Sequence, residues 1–580
     1  MKNLNGDNRM NKRIRPIPKM KSFGTVILAV VSFAVVKQGS AQPKFIATEL
    51  LGRPTDKSVT VSAIADRNLE VYFEYGTAPG IYNNRTLTAT FAGGTPMRTV
   101  IDNLQPNTRY YYRMRYRESG APQFSTRDER TFVTQRAKGS TFKFVLLADS
   151  HLYDKKGIPN MMRVTMQNVL KDQPDFVIDL GDTFGDDHTP NETTQADMVQ
   201  LHFNFWSYIG MACHSAAFFF CLGNHEGESG YYLLQTPPNN LAVYGTRARK
   251  FYYANPVPDG FYTGNTAVEN YGLGLPENYY TWEWGDALFV VLDAYRYYTT
   301  SAKPRGWDWT LGEAQYKWLK QTLENSQATF KFVFAHHILG ESRGAGVVAK
   351  YYEWGGYEGN GTTWGFANKR PGWEMPIHQL MAKNRVNIFF QGHDHLFAKE
   401  ILDGIVYQEV PMPSDSTYKI GMLANADAYT ANQIDGSGHL RVTVSPESAQ
   451  VDYVKAYLPK DEDANHKNGE VAFTYAVHGT TTAVAEKKEI PATFHLEQNY
   501  PNPFTAETVI KYKITVAANV QLKLYDILGR ELLTLVNQPQ QPGNYAVPFD
   551  SEKYSIPAGI YFYQLTVGNY HQMQKMLLLE

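Results

Sequence analysis

The chain changes its hydrophobic rhythm twice. From about residue 43 to 136, apolar and polar positions alternate in short runs, among them 69–75 and 109–116, each bounded by turn residues. A period of two sends successive side chains to opposite faces, so these runs predict strands of a small antiparallel sandwich. Near 141 solid apolar runs take over. Segments 142–148, 176–178, 217–222, 288–292, 330–335 and 386–390 read as buried strands. Between them Met162, Met166, Val169 and Leu170 fall on one helical face, and Tyr316, Leu319 and Leu323 on another. Strands alternating with helices predict an α/β layered domain over 141–478, closing with strands at 440–444 and 471–477. A polar linker, 479–489, leads to a last unit, 490–580, where alternation returns at 520–526 and 559–565. The fold class is therefore multidomain, an α/β centre flanked by two small β-sandwiches.

Composition supports this division. With 580 residues, 43% hydrophobic and 19% charged, the chain can bury several cores, and extended disorder is excluded. Aromatic residues reach 14%, with 39 tyrosines, which favours strands. The net charge of -1 conceals a split, because residues 1–41 hold eight basic residues and one acidic one. The remainder carries 48 basic against 56 acidic residues, a net -8, so there is no electrostatic case for nucleic-acid binding. The basic start has its own logic. Lys12, Arg13, Arg15, Lys19 and Lys21 precede an apolar run at 23–36, then Gly39-Ser40-Ala41 and Gln42. That order predicts a cleavable secretory signal over 1–41, with an apolar run too short to span a bilayer. Met20 would open a more conventional signal, and no cysteine follows the cleavage site to carry a lipid. Only Cys213 and Cys221 are present, too few for a disulfide framework. They could pair after export, but the apolar run 218–222 around Cys221 suits buried thiols better.

The candidate chemistry sits at strand ends. Asp149-Ser150-His151, Gly181-Asp182, Gly223-Asn224-His225-Glu226, His336-His337 and Gly392-His393-Asp394-His395 each follow an apolar run. Ligands of α/β sheets gather where parallel strands end, so the five strings can meet in one site. They offer carboxylate and amide oxygens and imidazole nitrogens without a thiolate, a set for hard to borderline divalent or trivalent metals. One ion cannot use them all; two ions sharing a carboxylate fit the number.

In this order the strings resemble the calcineurin-like metallophosphoesterase superfamily, with its pattern D-x-H, G-D, G-N-H-[DE], H and G-H-x-H. The resemblance implies a four-layer αββα domain holding two metal ions, iron, zinc or manganese. Asp149, His151, Asp182 and His395 would hold the first, and Asp182, Asn224, His336 and His393 the second, with Asp182 shared. It implies hydrolysis of a phosphate ester by in-line attack of a hydroxide lying between the ions, with His225 protonating the leaving group. Asn224, His337 and Arg343 are weaker candidates for substrate contact, and a structural role for His337 is as good a reading. Asp394 points away from its two histidine neighbours. A phosphomonoester is the favoured substrate, a phosphodiester or nucleotide the alternative. A surface adhesion protein on a decayed phosphatase fold is the reading from another class, against which every ligand position is filled.

The flanks carry resemblances too. Leu104-x-Pro106-x-Thr108-x-Tyr110-x-Tyr112 resembles the corner of a fibronectin type III domain, and a sandwich in that place is similar to the architecture of purple acid phosphatases. Those enzymes carry a tyrosine where this chain has Gly185 and lack the histidine found here at His151, so a non-purple branch is expected. Asp186, Asp187 and His188 read as a solvated turn, and the Gly- and aromatic-rich segment 339–373 as a loop shaping access. The string from Leu496 to Phe504, with the closing Lys575-Met576-Leu577-Leu578-Leu579-Glu580, resembles the sorting domain of the type IX secretion system. It implies that machinery as a partner and a secreted or surface-attached protein.

Overall fold

Alternation in Arg109–Glu118 becomes a strand with Tyr110, Tyr112, Met114 and Tyr116 inward. Its outward arginines pair across the antiparallel neighbour Leu69–Gly76: Arg113 and Arg115 with Glu74 at 2.8 and 3.0 Å, and Arg117 with Glu70 at 2.7 Å. A second sheet, ordered Phe45–Gly52, Val59–Ala65, Thr99–Ile101, supplies Val59, Val61 and Ala63 to the same core. The Tyr110 hydroxyl accepts the Gln105 N–H at 2.8 Å, pinning the corner between strands. This is a computed structural model, and it describes residues 42–152, 157–184, 189–235, 240–297, 302–339, 342–420, 428–429, 432–479, 494–515, 517–526, 531–567 and 570–579. The expected signal segment, the linker beyond Gly479, Gly185 and the turn 186–188 lie outside the described residues.

The middle domain stacks two sheets between helices. One sheet runs Ala217–Phe220, Phe176–Asp179, Phe142–Leu147, Ser437–Val444, Ser448–Ala456, Val471–His478, parallel through the first three strands and antiparallel after. The other has eight strands among the described residues, with Ala287–Val291, Phe330–Phe334, Ile388–Gln391 and Ile405–Glu409 parallel at its centre. Both faces of these strands are covered, which is why they read as unbroken apolar runs. Phe144 meets Phe289, Phe332, Phe334 and Phe390 between the sheets, at centroid distances of 5.1 to 6.4 Å. Helices Pro159–Asp172 and Gln195–Cys213 pack on the outer face of the first sheet, and Gly312–Asn325 and Ile377–Lys383 on that of the second. The order is αββα.

Leu170 departs from the expected helical face. It is 40% exposed, whereas Met162, Met166 and Val169 are buried. The helix ends two residues later, and Leu170 lines an open groove with Arg109, Thr131 and Ala216 instead of covering the sheet. Cys213 and Cys221 are both buried free thiols.

The N-terminal sandwich and the middle domain share one hydrophobic cluster, which runs from Val61 and Phe73 through Phe142 to Phe289. Polar ties reinforce it: Trp206 Nε1 donates to Thr48 O at 2.9 Å, and the Tyr112 hydroxyl to His214 O at 2.8 Å. The helix approaches the Phe45–Gly52 strand at Gly210, where a Cβ would lie 2.8 Å from Thr48 Cγ2. The C-terminal unit has its own core. Sheets of three and four strands close over Leu496, Ile510, Leu522, Leu524, Phe549, Tyr563 and Leu565.

Candidate metal centre

Each string emerges where a parallel strand stops. Asp149, Asp182 and Asn224 follow Phe142–Leu147, Phe176–Asp179 and Ala217–Phe220 in one sheet; His336 and His393 follow Phe330–Phe334 and Ile388–Gln391 in the other. Because the sheets stack with these strand ends together, three short runs of backbone from the first sheet and two from the second supply the site.

The backbone there is strained. Asp149, His151, Asp182, His393 and His395 adopt φ of 59°, 41°, 55°, 81° and 59°. Side chains other than glycine avoid this region, and such strain persists where neighbours over-determine it. Here Asp149 N–H donates to Gly181 O at 2.8 Å, and His151 N–H to Asp182 O at 3.1 Å. His393 N–H donates to Asp149 Oδ2, and His225 N–H to Asp182 Oδ1, both at 2.8 Å. Glu226 gathers three more, from Gly223, Thr183 and Asp182, at 2.6, 2.8 and 3.0 Å. That packing needs Gly223, since a Cβ there would lie 2.3 Å from Asp182 Oδ1.

One atom gathers the site. Asp182 Oδ2 lies 2.9 Å from His336 Nε2, 3.8 Å from His225 Nε2, and 4.0 Å from both His151 Nε2 and His393 Nδ1. Asp149 Oδ1 lies 3.3 Å from His395 Nε2 and 3.8 Å from His336 Nε2. His151 and His395 aim Nε2 at Nε2 across 3.1 Å. Three groups with metal-binding spacing result: Asp149, His151, His395; His151, Asp182, His225; and Asp182, His336, His393. Asn224 sits beside them, buried, with an amide oxygen to add.

The donor atoms fit cations. Asp149 Oδ1, Asn224 Oδ1, His336 Nε2, both ring nitrogens of His393 and His395 Nδ1 are buried and, among the described residues, without a hydrogen-bond partner. Unpaired polar atoms buried in this number are costly unless an ion uses them. His336 Nδ1 donates to Leu180 O at 2.9 Å, which leaves Nε2 with its lone pair toward the site. Charge points the same way. Burial pushes the Asp149 and Asp182 carboxyls up, but the histidines around them outweigh it and hold both below their ordinary range, Asp182 well below. Burial and the charge on Asp182 push Glu226 up to about 7.

His225 stands at the mouth. Its side chain is 15% exposed, against 1% for that of His151, whose ring it meets edge-on at 5.1 Å. Arg343, half-buried, donates to Asp394 Oδ1 at 2.9 Å and to the carbonyl of His393. His337 is not brought into the ligand groups: its Nε2 donates to Gly344 O at 2.9 Å and its Nδ1 accepts from Leu339 N–H at 3.1 Å. Asp394 turns away from its histidine neighbours, as expected, into a buried network. It accepts from Gly344 N–H at 2.8 Å and from the Tyr429 hydroxyl, which also reaches Glu409 Oε2 at 3.0 Å. Glu409 Oε1 takes the Asp394 N–H at 2.9 Å. Sequence reasoning missed Glu409 and Tyr429, which lie outside every string. Glu226 was in view, but its backbone-gathering role was not. In segment 339–373 the aromatics pack mostly on their own surroundings, Trp354 on Phe389 at 5.1 Å and Tyr357 on Trp364 at 5.2 Å.

Residues 142–397 match the calcineurin-like phosphoesterase family, and residues 498–579 the secretion system C-terminal sorting domain. No curated protein matches the chain. Among solved structures it is similar to the purple acid phosphatase PPD1 from yellow lupin (Lupinus luteus) seeds, with 15% identity over 74% of each chain and a TM-score of 0.50. It is similar also to PhoD, with 15% identity, 76% of this chain and 92% of that one covered, and a TM-score of 0.55. At such identity the likeness is one of fold. No helix among the described residues is long and apolar enough to cross a membrane.

Proposed function

Residues 142–397 are a calcineurin-like phosphoesterase domain, and from that premise we propose that the chain is an exported phosphomonoesterase working with two metal ions, iron, zinc or manganese. The convergence on Asp182 Oδ2 carries the reading, because one carboxylate oxygen common to two ligand groups suits a shared ligand. Asp149, His151 and His395 complete one set around it; Asn224, His336 and His393 complete the other. When bound, such ions supply Lewis acidity toward phosphoryl oxygens and acidify water.

The chain's own groups do the rest. The Asp182 carboxylate fixes the backbone of His225 and so aims its ring at the site, where the imidazole can hand a proton to the leaving oxygen. Arg343, anchored on Asp394 beside His393, offers a fixed cation to a phosphoryl oxygen. A dianionic monoester suits this surplus of positive charge better than a diester. The domain at 498–579 marks the protein for type IX export to the exterior or the cell surface, with 1–41 as the signal removed first and the N-terminal sandwich as a fibronectin type III-like support. Metal analysis of the purified chain, alongside turnover of p-nitrophenyl phosphate and its bis-ester, tests the reading. Two metals per chain with the monoester preferred is the expected result; a single metal at saturation, or preference for the diester, overturns it. We further expect iron-loaded protein to lack an intense visible band, because Gly185 offers no phenol. A band abolished by one Tyr→Phe change would return the chain to the purple branch.

A further inference from the structure

Arg343 comes from the long connection between Phe330–Phe334 and Ile388–Gln391, where a side chain of its length would ordinarily sample many rotamers. Here its surroundings are fixed. The next peptide is held on both sides: Gly344 N–H donates to Asp394 Oδ2 at 2.8 Å, and His337 Nε2 donates to Gly344 O at 2.9 Å. Gly344 has a φ of 103°, and a Cβ there would lie 3.3 Å from Ala428 O, so glycine lets the backbone before Tyr429 come close.

Asp394 is held in turn. Its N–H donates to Glu409 Oε1 at 2.9 Å, and its Oδ2 takes the Tyr429 hydroxyl, which lies 3.0 Å from Glu409 Oε2. Gln433 Nε2 donates to the Tyr429 carbonyl at 2.8 Å and fixes the ring's own backbone. Asp394, Glu409 and Tyr429 are all buried, so water does not compete for these bonds.

One guanidinium nitrogen makes the whole anchorage. Arg343 Nη1 donates to Asp394 Oδ1 at 2.9 Å and to the carbonyl of His393, while Nε and Nη2 make no hydrogen bond among the described residues. The side chain is 33% exposed. Nε–H and one Nη2–H run parallel along one edge of the planar group, a fork that fits two oxygens of a phosphate. Burial pushes the Arg343 pKa down, but Asp394, Asp149 and Asp182 outweigh it and hold it above its ordinary value, so the cation lies in the field of the metal-centre carboxylates.

Resting on the hydrolase reading above, we propose that the Nε–Nη2 edge of Arg343 grips two oxygens of the substrate phosphate, and that Tyr429 is a positioning residue that aims this edge by locking Asp394. Lysine could replace the charge of Arg343 but not the fork. The Tyr429 hydroxyl acts at one remove: standing between two buried carboxyl groups, it keeps Asp394 from turning away from the guanidinium.

The test measures inorganic phosphate binding by equilibrium dialysis, and p-nitrophenyl phosphate turnover, on the full metal-loaded chain. Tyr429→Phe should keep its metals, weaken phosphate binding about tenfold and raise KM about tenfold, with kcat changed less than about threefold. Arg343→Lys should weaken phosphate binding at least as much. Adding Tyr429→Phe to it should change nothing more, because the hydroxyl acts through the fork that lysine lacks. Additive losses, metal loss in Tyr429→Phe, or phosphate binding unmoved by that change would each overturn the proposal. If Tyr429→Phe does not fold, Asp394→Asn decides with the same tenfold expectation, since it keeps the shape and removes the charge that anchors Arg343. Weaker phosphate binding in these variants supports the clamp even in a protein that cleaves no ester; unchanged binding overturns it even where p-nitrophenyl phosphate is hydrolysed.

Discussion

At the scale of single residues, two substitutions should part cleanly. Asp182→Asn keeps the shape but removes the charge on which His336, His225, His151 and His393 converge. Metal occupancy measured by elemental analysis should fall, and turnover with it by several orders of magnitude; normal occupancy in that variant would remove the shared ligand from the account. His225→Ala should retain its metals and lose turnover about 10²–10⁴-fold, with the smallest loss on esters whose leaving group needs no proton. Metal loss there would make His225 a ligand instead of an acid. That Asp149, His151, Asp182, His336, His393 and His395 gather was legible because each sits within four residues of a strand end, and strand ends show as breaks in apolar runs. Glu409 and Tyr429 were not. Their roles arise from contacts 15 to 35 residues away in the chain, to Asp394, and no local pattern announces such a contact.

At the scale of elements, the helix Gln195–Cys213 is the longest among the described residues that periodicity did not reveal. It packs against the Phe45–Gly52 strand with Phe205, Trp206, Tyr208 and Ile209 all buried, and its polar positions narrow to the single line Asp197, Gln200, Asn204 and Ser207, too thin beside so wide an apolar face to stand out as the stripe of a surface helix. Within it His202 is fully buried against Phe184 at 4.9 Å and Tyr253 at 5.4 Å, and neither ring nitrogen has a hydrogen-bond partner among the described residues. Burial pushes its pKa down to about 3. The unfolded chain therefore takes up a proton below about pH 6.5 that the folded chain refuses, and stability falls as pH drops from there toward 3. His202→Phe should recover about 2–3 kcal/mol at pH 4.5 relative to the parent, and nothing from this source at pH 8. Chemical denaturation at the two pH values measures it; an unchanged difference between parent and variant would place the acid sensitivity elsewhere.

At the scale of the whole molecule, the sequence and the packing divide the chain differently. Alternation stops near 136 and solid apolar runs begin near 141, so the text breaks there, yet one hydrophobic cluster crosses the break. The rhythm of a strand reports how many of its faces are covered, not which neighbour covers them. Deleting 43–136 should consequently leave the middle domain insoluble or unable to unfold cooperatively. Ending the chain at 489 should leave its melting transition and turnover intact while stopping export, because the C-terminal core draws only on residues 496–578. Calorimetry and turnover on the two truncations decide between these outcomes, and a soluble, active chain lacking 43–136 would show the sandwich to be dispensable.

The left-handed backbone at Asp149, His151, Asp182, His393 and His395 has a consequence for how such a protein changes over generations. Each of these positions is held about 1–3 kcal/mol above a relaxed geometry. Glycine at the two histidines of the closing string would be a more comfortable occupant. Mutational drift that felt only the pressure to stay folded would thus erode this site first, gaining robustness with every ligand it discarded. The fold carries at these five positions a cost that relaxed replacements would lower, and a library sorted for stability alone should shed the site before it sheds the core.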